Sequence, residues 1–206
     1  MTTIQIKVPN WLDFLCAWPA MVYRKWKYGY SFRKIFLGEG QFTILDAQDY
    51  YRYCAFKWTM GGQGMTVYAV RSTKIGARIT TRRLHREIMN APKGLLVDHA
   101  NNDTLDNRRA NLRLATHYQN TCNRRKIKSK TSSRFIGLYW EKRSSRWVTH
   151  IKDHGKRIYL GRFKSEFDAA RAYDAAARKY HGEFAHLNFS ERPVVSAVEP
   201  SEDPRG

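Results

Sequence analysis

The 206-residue sequence predicts an α+β protein built from more than one small folded region. Three observations point there. Residues 41–81 mix strand-like runs with a helix-capping signal. A strand, a polar loop, a second strand and a helix then follow one another before Cys122. Residues 134–190 read as three strands and one long helix. The expected architecture is an N-terminal α/β region carrying a ββα core, then a three-stranded antiparallel sheet packed on one helix.

The elements follow in order. Residues 1–40 form an aromatic, basic, helical segment ending at Gly38 and Gly40. Within it, Trp11 to Tyr23 reads as an amphipathic helix with Asn10 as N-cap. Trp11, Leu15, Trp18 and Val22 recur at helical spacing and are expected to pack in a core. The run is too short to span a bilayer and is broken by Asp13 and Pro19, so no membrane partner is expected. Next, Gln41–Leu45 predicts a strand and Asp46 caps a helix through Tyr50 and Tyr51. Thr66–Ser72 alternates as a strand, with Val67, Ala69 and Arg71 on one face and Tyr68 and Val70 on the other. Gly61, Gly62 and Gly64 predict the turn before it.

The charge narrows the partner. Lys and Arg number 37 against 18 Asp and Glu, for a formal +19, and residues 121–190 alone carry +11. Such a chain favours a polyanion through phosphate contacts and counterion release. Cys16, Cys54 and Cys122 are far apart with no C-x-x-C spacing, which argues against a disulfide framework or a paired-cysteine zinc site.

The chemistry is concentrated in 82–122. Leu95-Leu96-Val97 is a short apolar strand running into Asp98-His99. The loop ANNDTLDNRRAN follows, then Leu112-Arg113-Leu114 as a second strand, and Thr116 as N-cap of a helix from His117. Asp98 and Asn120 offer the oxygen ligands that a hard divalent cation needs. His99, on the other side of the strand from Asp98, is placed to deprotonate a water beside the metal without ligating it. His117, three residues before Asn120 on the same helix, competes for the last ligand position. His85 is expected to be structural.

These residues resemble the HNH, or ββα-metal, endonucleases, above all the homing-type branch of phages and mobile introns. The resemblance rests on Asp98, His99, Asn111 and Asn120 and on the stretch from Asn101 to Arg113. It implies His99 as general base, Asn111 as a hydrogen-bonding brace for the loop, and Asp98 and Asn120 as ligands of one Mg²⁺ or Mn²⁺ per active site. It also implies residues 41–122 as the nuclease domain, a cytoplasmic setting in a bacterial or phage-infected cell, and hydrolysis leaving 5′ phosphate and 3′ hydroxyl. The third position is Asn120 rather than His, an H-N-N version of the pattern.

Residues 123–133, NRRKIKSKTSS, hold five cations and no acids and read as a basic linker or DNA-contacting arm through Arg124, Arg125 and Lys126. Residues 134–190 form the last domain. Arg134–Trp140 predicts its first strand, RWVTHIK its second and RIYLGRF its third. Ser165 caps the helix, in which Ala169, Ala172, Ala176 and Tyr180 make a small-residue stripe. Trp147, Thr149 and Ile151 share one face of the second strand, and Arg146, His150 and Lys152 the other. Ile158 and Leu160 point inward, Arg157 and Tyr159 outward. The basic-aromatic face suits a DNA major groove. FIGLYW, RIYLGRF, DAARAYD and Leu187-Asn188-Phe189 resemble the ethylene-response-factor-type (APETALA-two-like) DNA-binding domain. That resemblance puts DNA contacts on Tyr139, Glu141, His150, Lys152, Arg157 and Tyr159. Residues 191–206, with three prolines and four acids, are expected to be a disordered tail.

The function expected is a metal-dependent, site-selective endonuclease acting on double-stranded DNA as a monomer or dimer, nicking or cutting both strands. Two other readings stay open: a non-catalytic sequence-specific DNA-binding regulator with a relic nuclease fold, and a basic RNA-associated protein.

Overall fold

A computed structural model describes residues 10–63, 66–125 and 132–189. Lys126, the expected tail from Glu191 and Gly64 of the glycine triplet lie outside the described residues. The chain divides into two compact units. Among the described residues, one takes in 10–90 and 103–112, the other 91–102 and 113–189.

The first unit opens with α1 (Asn10–Tyr28), longer than predicted and with Asn10 as its first helical residue. Gly29, at φ 79°, ends it in the left-handed conformation, with its N–H on the Lys25 carbonyl. The predicted core stripe is wrong: Leu15, Trp18 and Val22 are 53%, 52% and 53% exposed. Met21 is the buried residue of the described face. The helix is apolar on several sides, so periodicity could not choose among them. Polar contacts did: Arg33 pairs with Asp13 at 2.9 Å, and Arg24 donates to the Phe32 carbonyl at 2.9 Å.

β1 (Arg33–Gly38) and β2 (Gln41–Leu45) pair antiparallel, with Ile35, Leu37, Ile44 and Leu45 buried. α2 (Ala47–Tyr53) follows Asp46, whose side chain makes no cap bond. It accepts the Arg109 N–H at 2.8 Å instead. β3 (Thr59–Gln63), β4 (Thr66–Ile75) and β5 (Arg78–Arg83) form a sheet in that order, and α3 (Leu84–Ile88) follows. Gly61 and Gly62 are thus strand residues, not the turn. A Cβ at Gly61 would lie 2.5 Å from Val70, and one at Gly62 1.9 Å from the Thr66 carbonyl oxygen. Close approach of β4, not chain reversal, is what requires them.

The second unit holds β6 (Leu96–His99), most of β7 (Leu112–Ala115) and α4 (His117–Cys122), which packs on β6. Thr116 and Gln119 form a reciprocal capping box at its start. β8 (Leu138–Glu141), β9 (Arg146–Asp153) and β10 (Lys156–Phe163) make an antiparallel sheet with β9 central, covered by α5 (Glu166–His181). β8 starts four residues later than predicted, because Gly137 is held at φ 82° against the Tyr173 ring. The buried face of α5 is Ala169, Ala170, Tyr173, Ala176 and Ala177, with Ala172 only half-buried, a correction to the predicted stripe. Ile158 and Leu160 pack with this core. Leu187-Asn188-Phe189 closes the domain: the buried Asp174 carboxylate accepts the N–H groups of Asn188 and Phe189, both at 2.8 Å.

Candidate active site and DNA-facing sheet

Asp98 and His99 end β6 and are 6% and 4% exposed. Burial of a carboxylate requires partners. Arg113, on the neighbouring β7, supplies a fork: its Nε and Nη2 lie 2.8 and 2.7 Å from Asp98 Oδ2. Asn123, immediately after α4 and 3% exposed, places Nδ2 3.0 Å from both Asp98 oxygens and 2.9 Å from the His99 carbonyl oxygen. Its own Oδ1 accepts from Asn102 at 3.2 Å. Arg113 and Asn123 were missed in the sequence reading. The motif marks residues that touch the reaction, and these two only hold one that does. The signal was present in the Arg of N-L-R and in a second Asn three residues past Asn120.

Asn120 lies on α4, half-buried, with its N–H on the Thr116 carbonyl. His117 is exposed at the start of the same helix. Asn111 belongs to the first unit, where its Nδ2 donates to the Asp106 carbonyl at 2.8 Å. That loop is tied to the N-terminal elements throughout. Asp106 bridges to Ile44, Asn107 Nδ2 donates to Thr43 Oγ1 at 2.7 Å, and Arg109 forks onto Asp49 with two 2.8 Å bonds. Arg108 forks onto Asp106 and lies 3.3 Å over the Tyr30 ring. Residues 30–50 therefore brace the loop that carries Asn111. His85 is buried in the same unit with its ring 5.0 Å from that of Tyr68, a packing position.

HNH nucleases generally use divalent metal ions. Among the described residues, no three His, Cys, Asp or Glu side chains gather into a metal-holding group. The donor set fits a hard cation all the same. Among the described residues, Asp98 Oδ2 accepts from both Arg113 and Asn123 and Oδ1 from Asn123, which leaves Oδ1 a lone pair for a cation. Asn120, on the helix that packs on β6, carries a further amide oxygen of the type a hard cation accepts.

The outer face of the β8–β10 sheet carries the predicted DNA contacts. Tyr139 and Tyr159 are 42% and 57% exposed, and Lys152 and Arg157 stand opposite each other, both exposed. Arg146 and His150 are half-buried, and the His150 ring packs edge-on to Tyr139. Glu141 is engaged within the protein, accepting from Ser144 at 2.5 Å and from Arg162 at 3.0 Å. Its carboxylate orients Arg162, which the sequence reading passed over and which is exposed 5.9 Å from the Tyr159 ring. Arg124 and Arg125 are exposed, and Arg125 donates to the Asn101 carbonyl at 2.6 Å.

Burial, and then the charge of Arg157, push His150 below the ordinary imidazole value of 6.5. A neutral folded-state imidazole contributes stability that is full above pH 6.5 and declines as pH falls towards the folded value. The urea midpoint of the wild type should therefore drop more between pH 7.5 and 5 than that of His150→Gln. Parallel curves for the two proteins would reject the assignment.

Residues 90–122 match the family model of the HNH endonuclease, and residues 133–183 match that of the AP2 domain. An uncharacterized HNH endonuclease of Acanthamoeba polyphaga mimivirus is 27% identical over 152 residues, covering 73% of this chain and 76% of the viral protein. APETALA2-like protein 2 of rice is 48% identical over 59 residues, 29% of this chain but only 14% of the plant protein. Dehydration-responsive element-binding protein 2D of Arabidopsis thaliana is 48% identical over 48 residues, covering 22% of this chain and 23% of that protein. The chain thus carries an HNH endonuclease domain followed by an AP2 domain, two domain types that both bind DNA.

Proposed function

We propose that this protein is a site-selective DNA endonuclease whose C-terminal sheet holds the duplex while the Asp98–His99 centre hydrolyses a phosphodiester bond. The observation that carries this reading is the Asp98–His99 pair at the end of β6, held by Arg113 and Asn123 and packed on the helix bearing Asn120. His99 accepts a proton from a water, whose oxygen attacks phosphorus. The bond to the 3′ oxygen breaks and that oxygen takes up a proton, leaving 5′ phosphate and 3′ hydroxyl. Asp98 and Asn120 would hold one Mg²⁺ or Mn²⁺. When bound, the ion polarises the phosphate and stabilises the leaving oxygen. Asn111 holds its loop through the Asp106 carbonyl. Tyr139, Lys152, Arg157 and Tyr159 contact bases and phosphates, with Arg146, His150, Arg162, Arg124 and Arg125 beside them.

One observation favours a second reading, a DNA-binding regulator that does not cut. Both oxygens of Asp98 already accept hydrogen bonds within the protein. One experiment separates the two. Purified protein is incubated with a randomised duplex library and Mg²⁺ or Mn²⁺, and cut ends on each strand are sequenced. The nuclease reading expects ends with 5′ phosphate clustered at a recurrent sequence. Retarded but uncut DNA with either ion leaves the regulator.

A further inference from the structure

Arg113 is shared between two parts of the second unit. Its Nε and Nη2 hold Asp98 Oδ2, at 2.8 and 2.7 Å. Its Nη1 donates to the carbonyl of Glu183, and its guanidinium lies 4.2 Å over the ring of Phe184. Both residues belong to the short 3₁₀ turn Gly182–Phe184 that follows α5. Phe184 is itself 5% exposed, and its turn packs on both α5 and α4. A planar guanidinium bonded along two edges and seated on a ring has little rotational freedom. Whatever holds Gly182–Phe184 therefore also orients the Asp98 carboxylate.

The docking is not confined to one residue. Tyr118 of α4 donates to Asp153 at the end of β9, and its ring stacks on His154 at 3.9 Å. Asn102 Nδ2 lies 3.5 Å from His186 Nδ1. The hydrogen bond from Tyr118, with a smaller contribution from His154, holds the Asp153 carboxyl below the usual carboxylate range.

We infer that Arg113 is a positioning residue through which the C-terminal domain sets the Asp98 carboxylate for metal binding, making that domain a structural part of the nuclease centre rather than a tethered targeting module. The inference rests on the nuclease reading above. It predicts a sign that simple electrostatics reverses. If Arg113 were only a counter-charge, deleting it would leave a more negative site and tighten cation binding. If it positions Asp98, deleting it frees the carboxylate and weakens cation binding.

The test uses the full chain. Mn²⁺ binding without DNA is read from the free-ion electron paramagnetic resonance signal, DNA affinity from gel shift in EDTA, and cutting from rates at saturating duplex across Mn²⁺ concentrations. Arg113→Ala should weaken Mn²⁺ binding by about 10–100-fold, the range typical of residues that orient a ligand. It should slow cutting to match and leave DNA affinity unchanged. Arg113→Lys, which keeps the charge but not the fork, should recover only part of the loss. Phe184→Leu, which keeps apolar bulk but removes the ring face, should shift Mn²⁺ binding in the same direction by less. Should Arg113→Ala fail to fold, as judged by circular dichroism, the lysine and leucine variants carry the comparison. Tighter or unchanged Mn²⁺ binding in the Arg113 variants overturns the inference. An effect of Arg113 variants with none from Phe184→Leu overturns the coupling to the C-terminal domain. Wild-type protein that cuts while all variants match it sinks this inference alone, whereas wild-type protein that neither binds Mn²⁺ nor cuts sinks the nuclease reading and this inference with it.

Discussion

His99→Ala is expected to slow duplex cutting by about 10²–10⁴-fold, the usual contribution of a positioned general base. That corresponds to about 3–5 kcal/mol of barrier. DNA affinity in EDTA should stay at the wild-type value, because the exposed sheet proposed to hold the duplex is built from β8 to β10, away from the imidazole in sequence. The backbone at His99 also serves the fold, since its carbonyl accepts from Asn102 N–H at 2.8 Å and from Asn123 Nδ2 at 2.9 Å. Alanine keeps those backbone bonds, but loss of the buried ring leaves a cavity, so the variant should stay folded and unfold at a lower temperature than wild type. Single-turnover cleavage with saturating Mn²⁺, alongside a melting curve, checks the prediction. Cutting at the wild-type rate would remove His99 from the mechanism.

Gly137→Ala should be the most damaging small substitution in the AP2 region. The residue sits at φ 82°, where an L side chain costs about 1–2 kcal/mol. A Cβ there would lie 2.1 and 2.3 Å from ring atoms of Tyr173 and 2.9 Å from the His150 carbonyl oxygen. Neither neighbour can give way easily. Tyr173 is buried with Ile151, Ala176 and Ala177, and the Gly137 carbonyl accepts from His150 N–H at 2.9 Å and Thr149 Oγ1 at 3.1 Å. Overpacking of this kind adds about 1–3 kcal/mol, so a total loss of about 2–5 kcal/mol is expected. Urea unfolding followed by tryptophan fluorescence measures it, since Trp140 and Trp147 lie in the affected sheet. A midpoint unchanged from wild type would mean that β8 can start differently from the way it does here. DNA affinity should fall with stability, because Tyr139 follows two residues later on the proposed DNA-binding face.

How far the sequence could be read differs from element to element. Thr116, Gln119, Ser165 and the acids of the first turn of α5 act within a few residues of themselves, so helix starts were legible. Strict alternation made β4, β9 and β10 legible for the same reason. Gly61 and Gly62 misled because a glycine demanded by a neighbouring strand looks the same, in sequence, as one demanded by a turn. The exposed stripe of α1 misled because a helix apolar on several sides does not say which side finds a partner.

The Asp98-His99 pair, its spacing to Asn111 and Asn120, and the basic-aromatic strands after residue 133 were properties of the sequence itself, because covalent spacing and local periodicity place them. Only the tertiary structure decided what surrounds them. Arg113 reaches across from β7 to Asp98, Asn123 returns from the end of α4, Glu183 and Phe184 come from 70 residues further on, and Thr43 and Asp49 hold the Asn111 loop from 60 residues before. These contacts depend on long-range pairing of buried charges and amides. Their free energy comes from partners far along the chain, so no local pattern announces them.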